Sequence, residues 1–270
     1  MKKIILFCLL ILLCAAITVG LAQTGVKKKR PLPYEYGRVV MNGLSGQAGL
    51  AGVEFEHWFH RTRYTCRLCH VDLAFAMKAG GTNVKAADNA KGFYCGACHN
   101  GKNNAAGKKI FESCATKYSR EDLPRCIRCH SVGKNVKKEH DFDAVTARFP
   151  RERFGNGINW EKAEADGMIK LTDELPGVSI HRPPMAIQKD FTIGSANETI
   201  PEIIFSHKKH TVWNGCELCH PEIFIGVKRG QTKYSMVENY NGKFCGVCHG
   251  AVAFPLLDCQ RCHVKPVQPS

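Results

Sequence analysis

The chain is 270 residues long, 44% hydrophobic and 23% charged, with 38 lysines and arginines against 24 acidic residues and a formal net charge of +14. That length suits one or two domains, and the apolar fraction is enough for a core, which sets aside collagen-like and fully disordered chains. No stretch beyond residue 22 is apolar over the length needed to span a bilayer, which sets aside polytopic membrane proteins.

The first element in chain order is a secretory signal peptide, expected over residues 1–22. Lys2 and Lys3 make its positive end and Ile4 to Val19 its apolar stretch. Gly20-Leu21-Ala22 places small residues at the third-last and last positions before a cut ahead of Gln23. The polar run from Gln23 to Arg30 argues for cleavage over the alternative, an uncleaved anchor. Cys8 and Cys14 leave with this peptide, since Leu13 is too large for a lipoprotein signal at Cys14. Residues 23–52 read as an N-terminal tail.

Twelve of the 15 cysteines then fall into six copies of one pentapeptide. They are Cys66-x-x-Cys69-His70, Cys95-x-x-Cys98-His99 and Cys126-x-x-Cys129-His130, followed by Cys216-x-x-Cys219-His220, Cys245-x-x-Cys248-His249 and Cys259-x-x-Cys262-His263. Cys-x-x-Cys-His is the attachment signal for c-type haem. Two sulfurs three residues apart reach the two vinyl groups on one porphyrin edge as thioethers, and the histidine that follows ligates the iron. One copy would match a zinc knuckle or a redox pair by chance. Six copies in an exported chain point to six haems, with structural zinc as the alternative.

Beyond these six proximal histidines, six others remain: His57, His60, His140, His181, His207 and His210. By count they suffice for bis-histidine ligation of every iron. An internal repeat sorts them. Phe55-x-His57-x-x-His60 precedes Cys66 by the spacing with which Phe205-x-His207-x-x-His210 precedes Cys216, and the offset of 150 also carries Cys95-Gly96 onto Cys245-Gly246. The third motif, Cys126 against Cys259, has an offset of 133, so the first half carries an insertion around Asn103 to Pro124. A duplicated three-haem unit follows. Histidines three apart share one helical turn. They cannot both reach an iron whose other side is filled, so each pair serves two neighbouring haems. For the third haem of each unit, His140 and His181 compete with Met77 and Met236; Met77 aligns with Val227 and Met236 with Ala86, so the repeat offers no shared methionine.

The resulting organisation is a first three-haem unit over residues 53–138, a connector over 139–200 and a second unit over 201–270. Pro150, Pro176, Pro183 and Pro184 punctuate the connector. One short helix is expected from Trp160 to Met168 with Asn159 at its cap. The segment reads as a lid over a haem face, a spacer between units or a solvated linker. About 80 residues cannot build an ordinary core around three macrocycles, so the haems are the expected apolar interior, and the apoprotein is expected to be largely unfolded.

Phe-x-His-x-x-His, five residues, Cys-x-x-Cys-His, then Cys-Gly-x-Cys-His and a third Cys-x-x-Cys-His resembles the triheme domain of cytochrome c7-type (class III) multihaem cytochromes, present here as two domains in tandem. The resemblance implies a duplicated, mostly irregular fold with short α-helices and a small β-hairpin per unit. It implies His57 and His207 as distal ligands of the first haem of each unit, and His60 and His210 of the second. Simple members carry a further histidine shortly before the second motif; Lys91 and Asn241 stand there in this chain, and multidomain relatives use methionine for that haem.

These features point to electron transfer rather than an enzyme. With both axial positions filled, iron moves electrons and makes no bond. Bis-histidine iron lies at lower potential than histidine–methionine iron, so a mixed set grades the potentials. The expectation is an exported hexahaem cytochrome of the periplasm or the outer cell surface, relaying electrons in anaerobic respiration. Its partners would run from the inner-membrane quinol oxidase side to an outer-membrane conduit or metal acceptor. The alternatives are a reductase with one open haem and a subunit of a haem filament. Twelve propionates offset much of the positive charge, which argues against nucleic-acid binding; acidic redox partners suit what remains.

Overall fold

The computed structural model is sparse in regular elements, its helices and strands being no longer than eight residues among the described residues. It describes residues 30–265 except 106, 116, 118, 132–140, 184, 188, 196–198, 227 and 229; the expected signal peptide lies outside the described residues. From Leu32 onward the described residues form one compact unit. Among the described residues no helix is long and apolar enough to cross a membrane.

The first half opens on a hairpin. Strand β1 (Arg38–Met41) runs antiparallel to β2 (Val53–Glu56), with Arg38 opposite Glu56 and Met41 opposite Val53. Helix α1 (Gly43–Gln47) fills the loop between them. The partner of β2 therefore comes from the segment read as a tail. Arg38 ties the pair together by reaching Glu54 at 2.5 Å and Glu56 at 3.3 Å. β2 runs directly into α2 (His57–His60), and α3 (Ala86–Ala90) precedes the second motif. Just ahead of the insertion, the Asn100 side chain accepts from the backbone of Lys102 and Asn103. A minimal hairpin follows, β3 (Asn104–Ala105) with β4 (Lys108–Lys109), and α4 (Leu123–Cys126) leads into the third motif.

The second half repeats this plan. β5 (Phe191–Ile193) pairs antiparallel with β6 (Glu202–Phe205), which leads into α7 (His207–Asn214), capped by Ser206. α8 (Met236–Tyr240) precedes the fifth motif and α9 (Gly246–His249) lies within it. β7 (His263–Lys265) closes the sheet with His263 opposite Ile203. In the first half the same closure is a single bridge, Val53 opposite His130. In both halves the third motif thus returns to the strand that launches the histidine helix.

The connector is packed. Helix α5 (Phe142–Thr146) is capped by Asp141 and helix α6 (Trp160–Ala165) by Asn159, which accepts from Lys162 N at 3.0 Å. The cap is the expected one, and the helix ends three residues short of Met168. Gly167 takes a left-handed φ of 71°, and the amides of Gly167 and Met168 bond back to Glu164 and Ala163. That glycine stop closes the helix. Phe142, Ile158, Trp160, Ala163 and Ile169 of this segment bury themselves with Trp58 of the first half and Trp213 of the second. The protein's own apolar core therefore sits where connector and halves meet.

Polar clamps hold the same junction. Arg67, 2% exposed, lies within the first pentapeptide and grips Asp173 through its carboxylate and carbonyl. Thr65 adds a 2.7 Å bond to that carboxylate. Arg182 reaches Asp72 and Glu217, each at 2.7 Å, and so links the residues behind the first motif to the fourth.

Two outcomes follow. Trp160→Ala is expected to cost about 3–5 kcal/mol, read from guanidinium unfolding of the purified protein; an unchanged midpoint contradicts this core. Burial works against the Asp173 charge, but the hydrogen bonds from Arg67 and Thr65 outweigh it and hold its carboxyl below the usual value. A depressed carboxylate stabilises at pH above its unfolded value and loses that contribution as pH falls through the folded one. Asp173→Asn should thus be less stable than wild type at pH 7, with the gap narrowing below about pH 4.

Candidate metal centres

The four histidines of the two helices sort themselves by ring geometry. A metal–imidazole bond is about 2.0 Å long and the ring centre lies about 1.1 Å behind the nitrogen, so two imidazoles on opposite sides of one metal have centres roughly 6.2 Å apart. The rings of His57 and His70 are 6.3 Å apart and within 6° of parallel. Those of His60 and His99 are also 6.3 Å apart, at 58°. In the second half His210 and His249 repeat the latter arrangement at 6.2 Å and 60°. One helical turn thus sends its two imidazoles to two different motifs. Phe55 fixes their divergence, stacking on His60 at 4.4 Å and meeting His57 edge-on at 4.9 Å. Phe205 does the same for His210 and His207 at 4.4 and 5.1 Å.

Main-chain carbonyls hold the rings by Nδ1. His57 bonds Gly37 O at 2.6 Å, His60 bonds Glu56 O, His70 bonds Phe75 O and His130 bonds Ala51 O. In the second half His207, His210, His220, His249 and His263 bond the carbonyls of Lys189, Ser206, Phe224, Phe254 and Pro201. His99 packs its ring on Phe111 at 4.5 Å, with that residue's carbonyl beside it. A carbonyl at Nδ1 holds the proton there and leaves the Nε2 lone pair free, as metal-ligating histidines require. Burial reinforces this by pushing His57, His60 and His249 down to about 4 and lowering His70, His99 and His210. A ring held at Nδ1 presents Nε2 outward, which fits a metal-centred macrocycle between each pair. Tetrahedral zinc needs several ligands converging on one point; among the described residues no three His, Cys, Asp or Glu side chains do so.

The thiols form a chain. Burial raises Cys69 and Cys95 to about 12 and Cys129 to about 11. Each also feels its neighbours: Cys69 feels Cys98 and Cys95, Cys95 feels Cys129, and Cys219 feels Cys66. Cys248 feels Cys66 and Cys219, and Cys245 feels Cys262.

The glycine of the second motif in each half has a steric cause. A Cβ on Gly96 would overlap the Asn89 carbonyl, and one on Gly246 the Asn239 carbonyl. The preceding Tyr94 and Phe244 take left-handed φ of 48° and 47°. The turn that presents Cys95 and Cys245 thus closes directly on the helix before it.

At the third motifs the candidates separate. His140 lies outside the described residues. His181 has its ring 84% exposed and bonded to Glu174 at 3.1 Å, apart from the buried histidines. Met77 is half-buried. Met236 opens α8, and its Sδ accepts from Asn239 at 3.7 Å. At the equivalent place in the first half, Asn89 donates to Cys114 Sγ at 3.8 Å. Cys114 thus lies inside the first half, close enough to act on Cys95 and Cys129. Cys114, the cysteine left over from the six pentapeptides and the expected signal peptide, carries no motif of its own, and only the structure sets it beside Asn89 as Met236 is set beside Asn239.

A family model described as cytochrome c7 and related cytochrome c matches residues 53–138 and 203–264. Among solved structures, a c7-type three-heme cytochrome domain is 32% identical, covering 30% of this chain and 95% of its own, with a TM-score of 0.26. The C-terminal hexaheme fragment of GSU1996 is 25% identical, covering 87% of this chain and 98% of its own, at 0.25. The dodecaheme cytochrome c GSU1996 is 23% identical, covering 84% and 73%, at 0.26. No curated protein matches the chain.

Gly246→Ala should push the fifth pentapeptide off Asn239 at a cost of about 3 kcal/mol or more. The expected readout is a lower unfolding midpoint together with incomplete haem attachment, seen as a minor species one haem short in the intact mass. Full loading at wild-type stability contradicts the steric reading.

Proposed function

Because the chain belongs to the family of cytochrome c7 and related cytochromes c, and is therefore a multihaem c-type cytochrome of an electron-transfer family, we propose that it is an exported six-haem relay. Each bound haem supplies a one-electron centre. The 12 motif cysteines hold the haems as thioethers, and His70, His99, His130, His220, His249 and His263 are the proximal ligands. His57 and His60 serve the first and second haems, and His207 and His210 serve the fourth and fifth. Carbonyls at Nδ1 orient the rings of His57, His60, His207 and His210, and burial keeps His57, His60 and His210 neutral, so electron movement needs no proton from those three.

The observation that carries this reading is that one helical turn sends its two imidazoles to two different motifs, at ring separations of 6.2–6.3 Å that recur in both halves, which sets the centres side by side. A succession of neighbouring centres suits conduction between partners at opposite ends. A single converging pocket would instead suit catalysis. For the last haem we favour Met236 over His181, whose ring is exposed and held by Glu174; His140 and Met77 are the candidates for the third. The relay would pass electrons in anaerobic respiration, in the periplasm or at the outer cell surface. Its donors lie on the inner-membrane quinol oxidase side, and its acceptors are an outer-membrane conduit or a metal.

The test is an anaerobic redox titration of the purified holoprotein with its haem content counted. The expected result is six electrons taken up per chain over a broad span of potential, with no turnover of nitrite or hydroxylamine. Uptake of fewer electrons than haems, or rapid nitrite reduction, overturns the reading. His210→Ala should leave one haem of the six with a vacant axial position, seen as a high-spin band that imidazole abolishes.

A further inference from the structure

Arg61 follows α2 directly and points into the junction of the halves. Its guanidinium lies 4.6 Å from the Trp160 ring centre and 5.0 Å from that of Trp213, so one tryptophan from the connector and one from the second half enclose it. It donates to Val252 O at 3.0 Å, 191 residues away in sequence. Its Nε is buried and unpartnered, and among the described residues the side chain forms no ion pair. Glu152 is close enough to act on it, but is already bonded to Arg261. Tyr36, the other polar group in reach, gives its hydroxyl to Ala253 O at 2.5 Å. An arginine remains charged under such burial. A buried charge without a carboxylate is costly to keep, and ordinary packing would be served as well by methionine.

Cys66 packs against the same buried cluster as these tryptophans, and the amide of Val252, whose carbonyl Arg61 holds, bonds Cys248 O at 2.9 Å; the cation thus stands by one motif of each half and acts on Cys66 and Cys248 as well as on His57 and His249. We infer that Arg61 is a positioning residue for electron transfer: a fixed cation beside the thioether edges of the first and fifth haems that raises their potentials at the crossing between the two halves. The inference rests on the relay reading above. A positive charge in a poorly screened interior favours the reduced iron, which carries one positive charge fewer. An electron leaving one haem is taken up by the next, and Arg61 keeps its proton throughout. The device is specific to the crossing, because the repeat places Thr211 at the equivalent position.

The experiment is a spectroelectrochemical titration of haem-loaded Arg61→Met and Arg61→Lys, with haem content and thermal unfolding measured alongside. Arg61→Met is expected to shift part of the titration to lower potential while six haems are retained, and Arg61→Lys to restore most of it. Unmoved potentials with a lowered unfolding temperature mean packing alone and overturn the inference. Should Arg61→Met fail to load haem, Trp213→Leu keeps the cation and opens it to water; a downward shift supports the inference, and unmoved potentials overturn it. Fewer than six haems in the wild-type protein marks failure of the relay reading instead.

Discussion

One turn of helix carries two imidazoles that diverge, and the rest of the structure follows from where they point. His57 and His60 are too close in sequence to meet one metal from opposite sides of it, so each pairs with the histidine of a different pentapeptide, at 6.3 Å in both cases. That forces the first and second motifs to lie side by side. The strand before the helix is then held by the third motif, through the Val53–His130 bridge in one half and the Ile203–His263 pair in the other. Three motifs around one short strand and one turn make a unit in which the chain is scaffolding and the interior is left to the macrocycles.

The junction is built on different physics. There the chain provides its own apolar core, with three tryptophans, Phe142 and two isoleucines gathered from both halves and the connector. Arg67 and Arg182 anchor the connector to the first and fourth motifs. A rigid junction matters to a relay because transfer between centres depends on their separation. Two three-haem units on a loose tether would exchange electrons only when they happened to meet.

Much of the site was legible in the sequence, because attachment chemistry demands fixed spacing. The six pentapeptides, the two histidine pairs, the offset of 150 and the Asn159 cap are all local patterns. What stayed hidden was non-local. β1 is an ordinary stretch until it meets β2, and of the connector's buried residues only Trp160 and Ala163 share a helical spacing, Phe142, Ile158 and Ile169 being scattered along the chain. Arg67 and Asp173 are 106 residues apart. Cys114 becomes interpretable only when Asn89 and Asn239 are compared in space, since the insertion removes it from the repeat. Arg61 has no counterpart in the second half, so no internal comparison could single it out.

The central claim is that every iron is held from both sides by residues of this chain, which makes the molecule a conductor. Low-temperature EPR of the oxidised holoprotein, with near-infrared charge-transfer bands from the same sample, tests it most directly. The account predicts six low-spin haems, with four in the bis-histidine band position and a distinct methionine band from the last haem. A stoichiometric high-spin haem whose signal shifts on adding nitrite would contradict it.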